Sequence, residues 1–173
     1  MRIPTLKTPR LKLEPLSGQH STGMFELWSC PEVCEFSGPV TDADGNAIQM
    51  PATTIRDSDR LIEFWIKAQD AGWGFRWAVL QGDREAFVGH VGFNSLGECS
   101  EIAYHLHPNH WGQGLMSEAA HAALEWRRDF DGCREFEAFI EPENLPSIVL
   151  VERLGFQATE NFSDGARCYR MTV

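Results

Sequence analysis

The segment Glu101-Ile-Ala-Tyr-His-Leu-His-Pro-Asn-His-Trp-Gly-Gln-Gly-Leu-Met-Ser-Glu-Ala119 concentrates the residues that could do chemistry. Compact, partly β-branched and aromatic residues run from Glu101 to His107, Pro108 ends the strand, and Gly112 and Gly114 let the backbone approach a ligand closely. A helix is expected to begin near Gln113. Its first amides have no intrahelical partners and lie at the positive end of the helix dipole, so the turn suits a phosphate or pyrophosphate. Alternation along the strand puts Glu101, Ala103, His105 and His107 on one face and Ile102, Tyr104 and Leu106 on the other. One carboxylate and two imidazoles can thus line a cleft beside the anion turn.

Other readings of these residues fit less well. A dinucleotide fold would want its third glycine at Ser117 and its motif after the first strand, and an NTPase phosphate loop would want a lysine after the second glycine. His107 and His110 invite a metal reading, but turn polarity accounts for them. Asp44-Gly45-Asn46 lacks the ladder of acidic ligands and the terminal Glu of a calcium loop. The five cysteines, at positions 30, 34, 99, 133 and 168, form no C-x-x-C pair and read as reduced, mostly buried thiols. No metal is expected.

The elements that must position this segment follow from patterning. Leu11, Leu13 and Leu16 suit a first strand, residues from about Gly18 to Ser29 a helix, and Pro39 to Pro51 a loop turning at Thr41 to Asn46. Asp57 or Ser58 is expected to cap a second helix through about Gln69, with Leu61, Ile62, Phe64, Trp65 and Ile66 as its apolar face. Three strands, Gly74 to Leu80, Ala86 to Phe93 and Ser100 to His107, read as an antiparallel meander. After the helix ending near Arg128 come a strand from Glu135 to Glu141, a helix from Leu145 to Leu154 and a closing hairpin from Phe156 to Val173. Phe36, Trp73 and Phe75 either line a substrate side or, by default, pack in the core.

A chain of 173 residues fits one α/β domain spanning residues 1–173. The net charge of −10 opposes general affinity for nucleic acid; it either attracts amines and basic peptide ends or serves solubility alone. No apolar run approaches the roughly 18 residues that cross a membrane, and the first residues lack a signal region, so a cytoplasmic protein without membrane association is expected.

Trp111-Gly112-Gln113-Gly114-Leu115-Met116-Ser117-Glu118-Ala119 resembles the acetyl-CoA loop of the GNAT N-acetyltransferases, in particular the RimJ/RimL-type branch. Thr8-Pro9-Arg10-Leu11-Lys12-Leu13-Glu14-Pro15-Leu16 is similar to that branch's opening strand. Glu143-Asn144-Leu145-Pro146-Ser147 with Glu152-Arg153-Leu154-Gly155-Phe156 resembles its late segment. The resemblance implies a mixed, mostly antiparallel sheet of about six to seven strands flanked by about four helices. It also implies acetyl transfer from acetyl-CoA to a primary amine, either the N-terminal α-amine of a ribosomal or other protein or a small molecule.

By this resemblance, the backbone of Gly112, Gln113, Gly114, Leu115 and Met116 would cradle the pyrophosphate, and Leu106 and His107 would align the pantetheine like an added strand. Trp111 would pack beneath the loop or cover the coenzyme, and Asn144 would bond the pantetheine arm or cap its own helix. Glu101 is the leading base, with a strand-end or cross-strand carboxylate as the alternative; His105 is second, with an ordinary strand histidine as the alternative. Ser147 would act on the thiolate side or serve as a helix N-terminal contact, and Glu118 would steady the loop. Two positions depart from the pattern: Asn109 stands where Gln or Arg is usual, and Val151 where many relatives carry an acidic-proton tyrosine. That vacancy keeps a noncatalytic acyl-CoA sensor or interaction module as the second reading, and a homodimer stays open.

Overall fold

The computed structural model describes residues 2–130 and 132–173. The elements run β1 (Leu6–Lys7), β2 (Leu11–Pro15), α1 (Ser21–Trp28), α2 (Pro31–Cys34), β3 (Val40–Thr41), β4 (Ala47–Ile48), α3 (Ile55–Ala71), β5 (Phe75–Gln81), β6 (Ala86–Phe93), β7 (Cys99–Leu106), α4 (Leu115–Arg128), β8 (Glu135–Ile140), α5 (Leu145–Arg153), β9 (Gln157–Ser163) and β10 (Ala166–Thr172). Among the described residues, eight strands form one sheet in the order β1-β2-β5-β6-β7-β8-β10-β9. Only β7 and β8 pair in parallel; the other neighbours are antiparallel. This is the mixed α/β architecture expected, extended by the two-residue β1 and the four-residue α2.

Each sheet face buries its own layer of helices. Leu13, Phe75, Trp77, Val79, Val91, Phe93, Ile102 and Phe136 meet α4 and α5, where Ala119, Ala120 and Ala123 have no exposed surface and bring the helix axis close to the strands. On the opposite face, Ala78 and Leu80 pack with Met24, Leu27 and Trp28 of α1 and Leu61, Ile62 and Trp65 of α3. Phe75 is therefore core, whereas Trp73 is 43% exposed at the end of α3.

Two boundaries differ from the sequence reading, each for a local reason. The cap of α3 is Thr54, not Asp57 or Ser58: Asp57 instead accepts from the Thr54 amide at 2.9 Å and hydroxyl at 3.0 Å, completing a reciprocal capping box. Helix α4 starts at Leu115 rather than Gln113 because Gly114 caps it in a left-handed conformation, φ +72°. The loop from Pro39 to Pro51 folds as the small hairpin β3–β4, tied to α3 by an Arg60–Asp42 ion pair at 2.5 Å.

The feature that matters for function is where the sheet splits. Pairing between β7 and β8 covers Cys99 with Glu135, Ser100 with Phe136 and Glu101 with Glu137, then stops. Beyond Glu101, β7 continues to Leu106 against β6 alone, while β8 continues to Ile140 against β10. A wedge opens between them and joins the two faces of the sheet.

Candidate active site

The glycine turn stands at the mouth of this wedge. Gly112 and Gly114 both have φ +72°, a region costly for any residue with a Cβ. Space is not the constraint: a Cβ on Gly112 would meet nothing within 4 Å, and one on Gly114 only Arg10 Nη2 at 3.6 Å. The turn therefore borders open space on the side where its Cβ atoms would lie. Leu115 and Met116 anchor the helix start through buried side chains.

A polar clamp holds this turn to the first strands. The Glu118 carboxylate accepts from Thr8 Oγ1 at 2.5 Å, the Arg10 amide at 2.9 Å and Arg10 Nε at 2.7 Å, while Arg10 Nη1 donates to the Gln113 carbonyl at 2.8 Å. Burial pushes the Glu118 carboxyl up, but the bonds from Thr8 and Arg10 and the Arg10 charge outweigh it and hold the group below the usual carboxylate range. The steadying role expected of Glu118 is thereby visible, and its partners Thr8 and Arg10 could not be paired with it from sequence alone.

The rim of β7 offers few free backbone groups. The His107 amide donates to Val88 O at 2.8 Å and the Asn94 amide to Glu101 O at 2.8 Å, so odd-numbered residues of β7 bond toward β6. By alternation, the backbone groups of Tyr104 and Leu106 face the wedge. Trp111, half exposed, donates its indole N–H to the Leu106 carbonyl at 2.7 Å, leaving the Leu106 amide and the Tyr104 groups for an extended ligand.

Glu101 sits where the strands part, on the α1/α3 face. Its Oε1 accepts from Asn94 Nδ2 at 2.6 Å and its backbone amide donates to Ser95 Oγ at 3.1 Å. Burial pushes its carboxyl above the ordinary range, with Asn94 and Arg76 pulling the other way and Glu137 adding to the rise. His105 lies further along the same face, against Trp28 and His90 at ring distances of 4.5 and 5.0 Å. Its Nδ1 is shut from solvent without a partner, and burial followed by the Arg76 charge lowers its pKa to about 3. It is a neutral imidazole at neutral pH.

On the α4/α5 face, Tyr104 and Ser147 meet: their hydroxyl oxygens are 2.7 Å apart. Burial pushes the Tyr104 phenol up to about 12, so it stays protonated, and either hydroxyl of the pair can donate to the other. Ser147 is presented by the first turn of α5, whose cap is Asn144; the Asn144 Oδ1 accepts from the Ser147 amide at 3.4 Å. Val151 is fully buried in the core. Tyr104 lies on a strand rather than in the late helix, yet its hydroxyl reaches Ser147. Its place on the face opposite Glu101 was the available signal.

Residues 10–157 match the family model of the acetyltransferase (GNAT) domain. The chain is 30% identical over 156 residues to the uncharacterised N-acetyltransferase p20 of Bacillus licheniformis, covering 88% of this chain and 82% of that protein. Among solved structures, an acetyltransferase from Agrobacterium tumefaciens superposes with TM-score 0.79 at 22% identity, covering 99% of this chain and 95% of that one. RimL, described as a ribosomal L7/L12 α-N-protein acetyltransferase and solved with coenzyme A, superposes with TM-score 0.80 at 15% identity over 98% of both chains. These two likenesses bear on the fold. The chain belongs to the GNAT acetyltransferase family.

Proposed function

We propose that this acetyltransferase moves the acetyl group of acetyl-CoA to a primary amine, with the α-amine of a protein such as a ribosomal protein as the leading acceptor and a small amine next. One observation carries the reading: the wedge between β7 and β8 connects a carboxylate on one sheet face with a hydroxyl pair on the other, and an open glycine turn leading into α4 stands at its mouth. The backbone of Gly112, Gln113, Gly114, Leu115 and Met116 would hold the diphosphate, and β7 at Tyr104 and Leu106 would align the pantetheine arm, with Asn144 beside it. The RimL structure with coenzyme A supports a coenzyme in this fold.

In this reading Glu101 takes a proton from the acceptor nitrogen as its lone pair attacks the acetyl carbonyl. The C–N bond forms, the C–S bond breaks, and the Ser147 hydroxyl stabilises the departing sulfur; water protonates the thiolate, and the hydroxide so formed is neutralised by the proton that Glu101 releases to solvent. With Tyr104 as the donor of the hydroxyl pair, the serine proton is free to turn toward sulfur. His105 stays neutral and shapes the acceptor side. The test is thiol release from acetyl-CoA over a panel of N-terminal peptides and small amines. Turnover on at least one α-amine supports the reading, and tight coenzyme binding without turnover on any acceptor contradicts it.

The Tyr104 role has its own expected result. Tyr104→Phe removes one hydroxyl, and losing a hydrogen bond worth about 1 kcal/mol should lower kcat by about fivefold while leaving the KM for acetyl-CoA unchanged. Initial rates of Tyr104→Phe, Ser147→Ala and the double variant check it: the two losses should not add if the hydroxyls act as one unit.

A further inference from the structure

Behind Glu101 lies a cation that the proposed chemistry does not use. Arg76 of β5 is 4% exposed, and its guanidinium carbon lies 3.5 Å from the centroid of the Trp65 ring of α3. Nη1 donates to the Phe75 carbonyl at 3.0 Å, Nη2 donates to Asn94 Oδ1, and Nε has no partner. No carboxylate among the described residues bonds to it. A buried cation without a direct counter-ion is costly, and a stacked apolar residue would fill the space at lower cost.

The register makes room for it. Arg76 pairs with Gly92 of β6, which pairs with Ala103 of β7, so small residues leave the α3 face of the sheet open around the guanidinium. A Cβ on Gly92 would fall 2.1 Å from the Phe75 carbonyl, so this glycine is required by the close strand approach. The Arg76 bond fixes the orientation of the Asn94 amide: its oxygen faces the arginine, and its nitrogen must therefore face Glu101.

We propose that Asn94 and Arg76 are positioning residues for Glu101, the arginine locking the asparagine amide so that it holds one carboxylate oxygen and leaves the other turned to the incoming amine. This rests on Glu101 being the base. The chain is arginine, amide, carboxylate, each link a directed hydrogen bond, with Trp65 as the lid over the cation. The charged groups acting on Glu101 are Arg76 from β5 and Glu137 from β8, the latter itself bonded by Arg170 of β10 at 3.2 Å.

Asn94 and Arg76 both favour the ionised carboxylate, so removing either should raise the pH at which the base becomes competent. In Asn94→Ala, the acid limb of kcat/KM should move up by about one pH unit, and kcat at neutral pH should fall. Arg76→Met should move the limb in the same direction, and Arg76→Lys, which keeps the charge but not the fork, should move it less. Where an Arg76 variant does not fold, Asn94→Ala decides alone, because its side chain is a partly exposed strand-end group. An unmoved limb in folded Asn94→Ala enzyme overturns the relay. A limb that persists unchanged in Glu101→Gln overturns the base assignment instead, so the two failures are distinct.

Discussion

Glu101→Gln should lower kcat by about 10²–10³-fold while the affinity for acetyl-CoA stays unchanged. The amide keeps the shape and still accepts from Asn94 Nδ2, but it cannot take the acceptor proton. The wild-type acid limb should lie above the ordinary carboxylate range, because burial is the largest influence on this group. The same shift fixes the sign of the stability effect. With its folded pKa above its unfolded value, Glu101 binds its proton more tightly in the native state, so stability falls as pH rises through that window. At neutral pH the ionised carboxylate is a net cost, and the glutamine variant should melt at the same temperature as wild type or higher. Initial rates across pH, beside a thermal melt, check both halves. A slow variant that also melts early would indicate damage to the fold rather than loss of a base.

Gly114→Val should weaken acetyl-CoA binding by about 10²-fold. Two effects act together. The residue caps α4 at φ +72°, where a β-branched side chain is strained by about 1–2 kcal/mol. Relaxing that strain turns the first amides of α4 away from the anion, and each charge-assisted bond lost is worth about 1.5–3 kcal/mol. The side chain would meet only Arg10 Nη2 at 3.6 Å, so steric damage to the core is not the cause. Calorimetric titration checks it, and the kcat at saturating coenzyme should recover toward wild type.

The glycine turn and the Glu101 face were legible in the sequence because both are local. Glycine at a left-handed position and alternation along a strand need no knowledge of distant partners. The cap of α3 was misread: Thr54-Ile-Arg-Asp57 carries the capping-box spacing, which makes Asp57 the third helical residue and Thr54 the cap. What sequence did not disclose depends on register. Arg76 becomes a neighbour of Glu101 only because β5, β6 and β7 align Arg76 with Gly92 and Gly92 with Ala103. Tyr104 meets Ser147 across 43 residues and the open wedge. The clamp of Thr8 and Arg10 on Glu118 joins the turn between β1 and β2 to α4. Long-range pairing of this kind follows from how strands order in the sheet, which patterning within a segment does not encode.

The most direct measurement is a nuclear magnetic resonance titration of the ¹⁵N-labelled chain with acetyl-CoA, following the backbone amides. The largest shifts should fall on Gly112, Gly114, Leu115 and Met116, with the Leu106 amide moving as the pantetheine arm docks along β7. Amide spectra that stay unaltered at millimolar coenzyme, or shifts confined to residues away from this turn, would contradict the account.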